Sequence, residues 1–208
     1  FSLKREKATD RLPEFESLRD RAKEIKDHTL ENLDFYLERF EERVTEAGGE
    51  IHWCSDAVAA QKKILDICRR ANARTVIKSK SMIGEEIAIN EFLEKHNIEP
   101  IETDLGEYII QLRGEAPSHI IAPAVHLNMG QVEDTFREKH TTLETGRKLD
   151  EPQKLLEEAR SQLRDKFIKA DVGITGANML IAETGSAVLV TNEGNADLTQ
   201  TLPRIHIV

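Results

Sequence analysis

The first 48 residues carry apolar side chains at intervals of three and four positions between Phe15 and Val44. This spacing predicts one face of a helix, or of two helices in line. Gly48 and Gly49 mark its C-terminal end, and the dense charges between the apolar positions are typical of a solvated face. We expect this N-terminal helical arm, residues 1–48, to pack on its own domain, with a second contact across a homodimer as an open alternative.

From residue 49 onward the pattern changes to short apolar strands that alternate with amphipathic helices. The predicted strands cover residues 50–54, 74–80, 97–103 and 118–124. The predicted helices cover residues 81–95, 108–112, 128–136 and 150–169. Two or three further apolar strands follow up to residue 190, and residues 204–208 alternate as a last strand. The alternation predicts an α/β domain over residues 49–208, with a mostly parallel sheet and helices on both faces.

Three loops of the predicted domain deserve inspection for chemistry. Open parallel sheets bind ligands beyond the carboxyl ends of their strands, where loops enter the next helices. This rule predicts that a ligand would bind at the loops 78–82, 122–128 or 175–195. In the second of these loops, His126 is a candidate base or hydrogen-bond donor to an acid substrate. A lone histidine is more often structural, and that role is favoured for His126.

The first of these loops alternates lysine and serine, with Lys78, Ser79, Lys80 and Ser81 in succession. It leaves an apolar strand and enters a helix, whose first backbone N–H groups have no partner within the helix. Such a turn, with added positive charge, suits a phosphate or a carboxylate. In the alternative interpretation Ser81 is only an N-cap and the lysines are solvated. The spacing does not choose between the two.

The segment 170–190 reads like buried core but is interrupted by small polar residues. Its apolar runs at 171–175 and 186–190 predict central parallel strands. An unpaired buried polar group costs about 1–3 kcal/mol, so the polar side chains here must pair with one another or face a pocket, and the pocket is favoured. The candidate pocket residues are Gly176, Asn178, Glu183, Thr184, Gly185, Asn192, Glu193 and Asn195.

Composition narrows the classes of function. The chain has 208 residues and a formal net charge of −9, which argues against nucleic-acid binding. No apolar run approaches the ~20 residues that cross a bilayer. Cys54 and Cys68 are isolated and match no metal spacing, so we expect no metal in these residues and a reducing cytoplasm as the setting. The sequence shows no Ser-His-Asp, Cys-His or HExxH pattern.

The same residues carry a family resemblance. The stretches "PSHIIAPAVH", "ADVGITGANMLIAETGSAVLVTNEGNADL" and "PRIHIV", together with residues 76–112, resemble the lactate-utilization protein B family. Members of this family are iron–sulfur subunits of a bacterial system that oxidises L-lactate to pyruvate. The resemblance runs from about residue 10 to residue 208. It implies a lactate-utilization (LUD) domain, whose fold is similar to the sugar-phosphate isomerase and CoA-transferase superfamily, and other lactate-utilization subunits as partners.

The chain departs from the family in its cysteines. In the family a region with CxxCxxC runs follows this domain and holds four-iron clusters, whereas Cys54 and Cys68 cannot supply a set of four thiolates. The chain also lacks an initiator Met and stops within a predicted strand. We therefore expect it to be the front part of a longer protein, with the iron–sulfur clusters beyond Val208.

The turn "GITGAN" resembles the "GAD" turn of sugar-phosphate isomerases, with Asn178 in place of the acid. The missing carboxylate puts isomerase-type proton transfer in doubt. CoA-transferases use a glutamate nucleophile, and Glu183 and Glu193 are the candidates for that place. The leading hypothesis is a domain of an L-lactate-oxidising complex that binds a small carboxylate or phosphate. The alternatives are a free-standing enzyme acting on sugar phosphates or CoA esters, and a non-catalytic scaffold.

Overall fold

The computed structural model describes residues 2–119, 122–191 and 193–208. Within them the helices are α1 (Ser2–Thr9), α2 (Phe15–Glu31), α3 (Leu33–Glu46), α4 (Ala57–Arg70), α5 (Met82–Glu86), α6 (Ile89–Glu94), α7 (Leu105–Arg113), α8 (Met129–Lys139), α9 (Pro152–Lys169) and α10 (Asn195–Thr201). The strands are β1 (Thr75–Lys78), β2 (Glu99–Glu102), β3 (Val172–Ile174), β4 (Met179–Ile181), β5 (Ser186–Val188) and β6 (Ile205–Ile207).

Four strands form a parallel sheet in the order β2-β1-β3-β6. Successive side chains of a strand point to opposite faces, and Val76 and Ile77 of β1 accordingly belong to two different apolar clusters. Ile77 packs with side chains of α7, α8 and α9, whereas Val76 packs with side chains of α4 and α6. Helices therefore cover both faces, and the predicted α/β class is confirmed.

The described chain forms two compact units. The first unit holds the residues up to Ile51 together with Leu180–Ser186, and the second holds His52–Met179 and Ala187–Val208. The parallel sheet and both apolar clusters lie in the second unit.

The first unit contains the N-terminal helices and the outer part of the hairpin that β4 and β5 form. The predicted apolar face is divided between α2 and α3, which meet at Asn32. Gly185 sits at the hairpin turn with φ +69, and a Cβ there would lie 2.6 Å from the backbone nitrogen of Val44. Glycine is required at this position because the hairpin tip touches the backbone of α3.

Polar side chains fix the starts of several elements in the second unit. Asp56 caps α4 by accepting a hydrogen bond from the Ala59 backbone N–H at 2.8 Å. Asp171 accepts hydrogen bonds from the backbone N–H groups of Arg74 and Thr75 at 2.8 and 3.1 Å. The carboxylate of Asp171 thus ties the start of β3 to the start of β1, which is a structural role.

Three predictions of secondary structure were wrong. Residues 50–54 form no strand, and neither do the described residues of 118–124, of which 120 and 121 lie outside the described part of the chain. The predicted helix 81–95 is divided into α5 and α6, because Ala88 adopts a left-handed conformation with φ 48. Gln61 donates a hydrogen bond to the carbonyl of Ile87 at this break, at 2.6 Å.

The prediction that residues 186–190 form a central strand was also wrong. β5 pairs with β4 in a separate two-stranded sheet, and the four-residue connection requires that the strands run antiparallel. The apolar side chains of β4 are exposed, with Leu180 at 52% and Ile181 at 41%. An apolar run resembles a buried strand in sequence even when its side chains face outward in a hairpin.

Candidate functional site

The carboxyl edge of the parallel sheet has a topological switch point between β1 and β3. From β1 the chain moves outward to β2, and it later returns to the other side of β1 as β3. The backbone N–H of Ser79 donates to the carbonyl of Ile174 at 3.0 Å. A Cβ on Gly176 would lie 3.4 Å from the Cα of Ser81. The structure therefore brings the lysine–serine loop and Gly176 together, at the position where such sheets bind ligands.

Lys78, at the end of β1, is buried and already paired. Its Nζ lies 2.7 Å from Glu102 Oε1 and donates to Asn90 Oδ1 at 2.7 Å. The side chains of Lys78 and Glu102 are 2% and 7% exposed. A charge that is buried and neutralised in this way serves the core, and Lys78 does not face a ligand.

Lys80 lies one step further along the loop and remains partly accessible. Its Nζ contacts Glu107 Oε1 at 3.0 Å, and its side chain is 30% exposed while that of Glu107 is 8% exposed. Burial opposes the charge of Lys80, but the hydrogen bond and charge of Glu107 outweigh burial and raise the pKa of Lys80. Lys80 is therefore a cation that a ligand can reach.

Glu107, in the first turn of α7, is the most perturbed carboxyl group of this edge. Burial, the charge of Glu102 and a hydrogen bond with the side chain of Glu85 raise the pKa of Glu107 to about 8, against the opposing effect of Lys80. A carboxyl group with this pKa is mostly protonated at neutral pH. Perturbed groups of this kind cluster at functional sites.

Two further carboxyl groups face Lys80. Asp104 caps α7 by accepting hydrogen bonds from the backbone N–H groups of Gly106 and Glu107 at 3.1 and 3.3 Å. Glu193 accepts a hydrogen bond from the backbone N–H of Leu105, and its pKa is raised by partial burial and by the charge of Asp104. We call these side chains the Lys80 cluster, which comprises Lys80, Glu85, Asp104, Glu107 and Glu193.

Ser81 has the capping role that the sequence left open. Its Oγ accepts a hydrogen bond from the Gly84 backbone N–H at 3.1 Å. The helix it caps, α5, has five residues. The main positive charge available to a ligand in this loop is therefore that of Lys80.

Among the described residues, the hydrogen-bond partners of His126 include no member of the Lys80 cluster. Its Nδ1 lies 2.8 Å from Ser118 Oγ and its Nε2 lies 3.2 Å from Glu115 Oε2. These contacts hold a loop after α7, in keeping with the structural role favoured for this histidine.

The hairpin residues support the turn itself. Asn178 Oδ1 accepts a hydrogen bond from the Val190 backbone N–H at 2.7 Å, and Thr184 Oγ1 donates to Ser186 Oγ at 2.9 Å. Glu183 lines a groove of about 780 Å³ within the first unit, whose other lining residues come from α2, α3 and the hairpin tip. Asn178 and Thr184, two polar residues of the segment 170–190, thus pair locally.

Two candidate residues of the sequence analysis remain, Asn192 and Asn195. Asn192 lies outside the described residues, and Asn195 is the first residue of α10. Between them, Glu193 belongs to the Lys80 cluster.

Sequence reasoning missed Glu85, Asp104 and Glu107. Asp104 and Glu107 follow directly after a predicted strand, so their position at a carboxyl edge was available from the sequence. None of the three carries a motif, and their proximity depends on how α5 and α7 pack around β1.

A second buried polar cluster lies away from the carboxyl edge, between α7, α8 and α9. His140 Nε2 lies 3.0 Å from Tyr108 Oη, and His140 Nδ1 lies 2.9 Å from Glu158 Oε1. Arg147 donates to Glu158 Oε2 at 2.8 Å. Burial lowers the pKa of His140, so its neutral ring donates to Glu158 and accepts from Tyr108. We call these four side chains the His140 network.

The described residues offer no ligand set for a metal or an iron–sulfur cluster. No group of three or more His, Cys, Asp or Glu side chains within them has an arrangement that could hold a metal ion. Cys54 is exposed, whereas Cys68 is buried and its pKa is raised to about 11 by burial. Two separate cysteines do not fit a cluster that needs four thiolates. None of the helices in this part of the chain is long and apolar enough to cross a membrane.

Comparison with known proteins gives the same family from the whole sequence. Residues 37–208 match the LUD domain family. Proteins named "Lactate utilization protein B" from Bacillus thuringiensis, Bacillus cereus and Bacillus anthracis are each 45% identical over 201 residues, covering 97% of this chain and 42% of theirs. The chain thus spans less than half the length of these relatives. No solved structure shows significant similarity to it.

Proposed function

Because this chain belongs to the LUD domain family, we propose that it acts in lactate utilization and binds a small carboxylate through Lys80. The proposal is carried by one observation, the position of a partly exposed lysine at the switch point of the sheet. Relatives at 45% identity carry the name "Lactate utilization protein B", which supports a carboxylate such as L-lactate or pyruvate as the ligand. A phosphate is the alternative anion.

The carboxyl edge supplies both groups that a carboxylate ligand needs. Lys80 provides a positive charge, and the neutral form of Glu107 lies 3.0 Å from it without adding a negative charge. An ionised Glu107 would neutralise Lys80, whereas a protonated Glu107 leaves the charge of Lys80 opposed only by the other carboxyl groups of the Lys80 cluster. Lys78 is excluded from this role because Glu102 neutralises it.

We extend the proposal to the oxidation of L-lactate to pyruvate by a larger protein. The reaction releases two electrons and two protons, and a cofactor must accept the electrons. The two cysteines of this chain do not supply a cluster, so iron–sulfur clusters would be held by other residues. In this proposal the LUD domain binds the acid and the electron acceptor lies outside it.

Partner subunits of a lactate-utilization system form the last part of the proposal. Several large apolar side chains on α2 and α3 are exposed, among them Ile25 at 61%, Leu30 at 67% and Phe35 at 56%. Exposed apolar groups of this size favour contact with another chain. A second copy of this chain is the simplest alternative partner, and sedimentation of the purified protein distinguishes monomer from dimer.

The proposal is tested by titration of Lys80→Gln and of the unchanged protein with L-lactate, pyruvate and inorganic phosphate. We expect carboxylate binding to weaken at least about tenfold in the variant, because a charge-assisted hydrogen bond is lost. Lys166→Gln is the matched control, since Lys166 is 39% exposed and forms an ion pair with Glu99 outside the Lys80 cluster. Equal affinity of Lys80→Gln and the unchanged protein would contradict the assignment.

An enzyme that acts on phosphorylated or CoA-linked substrates remains the second candidate. One observation favours it, since Glu193 faces Lys80 and has a raised pKa. Glu183, the other candidate nucleophile, belongs to the first unit. Turnover of a CoA ester that is lost in Glu193→Gln would replace the lactate proposal with this one.

A further inference from the structure

The carboxyl group of Glu107 is faced by charged groups from several elements. Lys80 comes from the loop after β1, Glu85 from α5 and Glu102 from β2. Asp104, before α7, and Glu193, before α10, interact electrostatically with Lys80. The balance of these charges decides whether Glu107 is ionised.

The balance favours a retained proton. Glu102 is neutralised by Lys78, so Lys80 is left to face Glu85, Asp104, Glu107 and Glu193. Neighbouring carboxylates repel one another, and this repulsion disfavours the charged form most at Glu107, which is buried.

The hydrogen-bond inventory gives a second, independent reason. The side chains of Glu107 and Glu85 are hydrogen-bonded to each other. Ionised carboxyl groups only accept hydrogen bonds, whereas a protonated one also donates. The hydrogen bond between Glu107 and Glu85 therefore requires a proton on one of the two carboxyl groups.

We infer that the Lys80 cluster binds a carboxylate together with one proton, which Glu85 and Glu107 hold between them while Lys80 turns from Glu107 to the ligand. The inference rests on the proposed function, because it concerns the same site. Binding removes the cation from Glu107 and brings an anion next to it, and both changes favour the protonated carboxyl group. Charge is balanced because the entering anion and the proton together are a neutral acid.

The coupling has a defined pH dependence. Below the pKa of Glu107, at about 8, the proton is already bound in the free protein, so affinity is independent of pH. Above it, the proton must be taken from solution as the ligand binds, and affinity falls by up to about tenfold per pH unit. The raised pKa of Lys80 keeps its ammonium group charged through this range.

The test is calorimetric titration with L-lactate near pH 9 in two buffers that differ in ionisation enthalpy. The change in observed heat between the buffers gives the number of protons taken up, and we expect close to one. Glu107→Gln imitates the protonated acid, so it should bind L-lactate at every pH and take up no proton. Glu86→Gln is the control, because Glu86 is an exposed neighbour of Glu85 on α5.

Each outcome decides the matter. Binding of L-lactate without proton uptake overturns the coupling and leaves the proposed function intact. Absence of binding by both L-lactate and pyruvate overturns both proposals. Proton uptake that persists in Glu107→Gln overturns the assignment to Glu85 and Glu107. If that variant does not fold, the buffer comparison on the unchanged protein still decides whether a proton is taken up.

Discussion

Two buried glutamates of the second unit, Glu158 and Glu107, differ in how their oxygens are satisfied. Glu158 is 1% exposed and contacts His140, Arg147 and Gln162 at 2.8–2.9 Å. Glu107 is 8% exposed, contacts Lys80 at 3.0 Å and otherwise faces the carboxyl groups of Glu85 and Glu102. The two side chains are similarly buried, but Glu158 has a full set of hydrogen-bond donors whereas Glu107 is surrounded by an excess of acceptors.

The difference separates a structural carboxylate from a candidate functional one. A buried charge that is fully paired stabilises the native arrangement only as long as every partner is present. A buried acid that lacks donors keeps a proton, and it gains or loses that proton when its surroundings change. The His140 network therefore should respond to mutation through stability, and the Lys80 cluster through pH and ligand.

The largest expected effect is the loss of Glu158. Glu158→Ala should lower the free energy of unfolding by about 3–5 kcal/mol, because it leaves Arg147 and the buried His140 without their partner. Denaturant unfolding at pH 7 measures it. Glu157→Ala, an exposed neighbour on α9, should cost far less. A loss below about 1 kcal/mol for Glu158→Ala would show that the network is dispensable.

The second expected effect is a dependence of stability on pH that arises from Glu107. Its pKa is about 8 in the folded chain, above the ordinary value of 4.5, so the folded state holds the extra proton between these two pKa values. Stability should therefore fall as pH rises from about 4.5 to about 8, by at most about 1.4 kcal/mol per pH unit. The lowered pKa values of His140 and His206 act in the opposite sense, with stability lost as pH falls.

Comparison with Glu107→Gln isolates the contribution of Glu107 to the pH dependence of stability, because both histidines remain in the variant. Its stability curve should lack the downward slope between pH 5 and pH 8 and should lie above that of the unchanged protein at high pH. Unfolding curves at a series of pH values measure this. Two parallel curves would mean that Glu107 is ionised in the native state.

Tyr108→Phe tests the outer end of the His140 network. The variant loses one hydrogen bond to His140 Nε2 and leaves a buried acceptor unpaired, at a cost of about 1–3 kcal/mol. Thermal unfolding of the variant measures the loss. Tyr36→Phe is the matched control, because it removes a hydroxyl that bonds to exposed His28. Leu112→Ala would not serve as a control, because it removes core volume. Equal effects of the two tyrosine variants would argue against a special role for the buried pair.

The smallest expected effects on stability are those of removing the cation from each cluster. Arg147 and Lys80 are 35% and 30% exposed, so solvent weakens both ion pairs to a similar degree. Arg147→Gln should cost about 1 kcal/mol, whereas Lys80→Gln should cost less at pH 7, since protonated Glu107 needs no cation. Chemical unfolding of both variants tests the order. A larger loss in Lys80→Gln would reverse the comparison.

The sequence predicted the sheet class because strands and helices alternate with clear periodicity. The strands at 74–80 and 97–103 and the helices at 128–136 and 150–169 correspond to β1, β2, α8 and α9. The hairpin was not predictable in the same way, since exposed Met179, Leu180 and Ile181 have the composition of a buried strand. Periodicity reports an apolar run but not which side of a sheet it faces.

The candidate site was predicted in part. The position of Lys80 followed from the rule for carboxyl edges, and the approach of Gly176 to Ser81 agrees with it. Glu107 was not predicted, because a single glutamate in the first turn of a helix is ordinarily a solvated favourable charge. Its burial results from the packing of α7 against β1 and β2, which no local pattern encodes.

The central claim is that Glu107 holds a proton at neutral pH while it lies next to Lys80. The most direct measurement is a carbon-13 NMR titration of side-chain carboxyl groups, with Glu107→Gln used to assign the signal. We predict that the Glu107 carboxyl group titrates with a pKa of about 8 and that its midpoint moves upward when L-lactate is added. A Glu107 signal that titrates near the ordinary value of 4.5 would contradict the account.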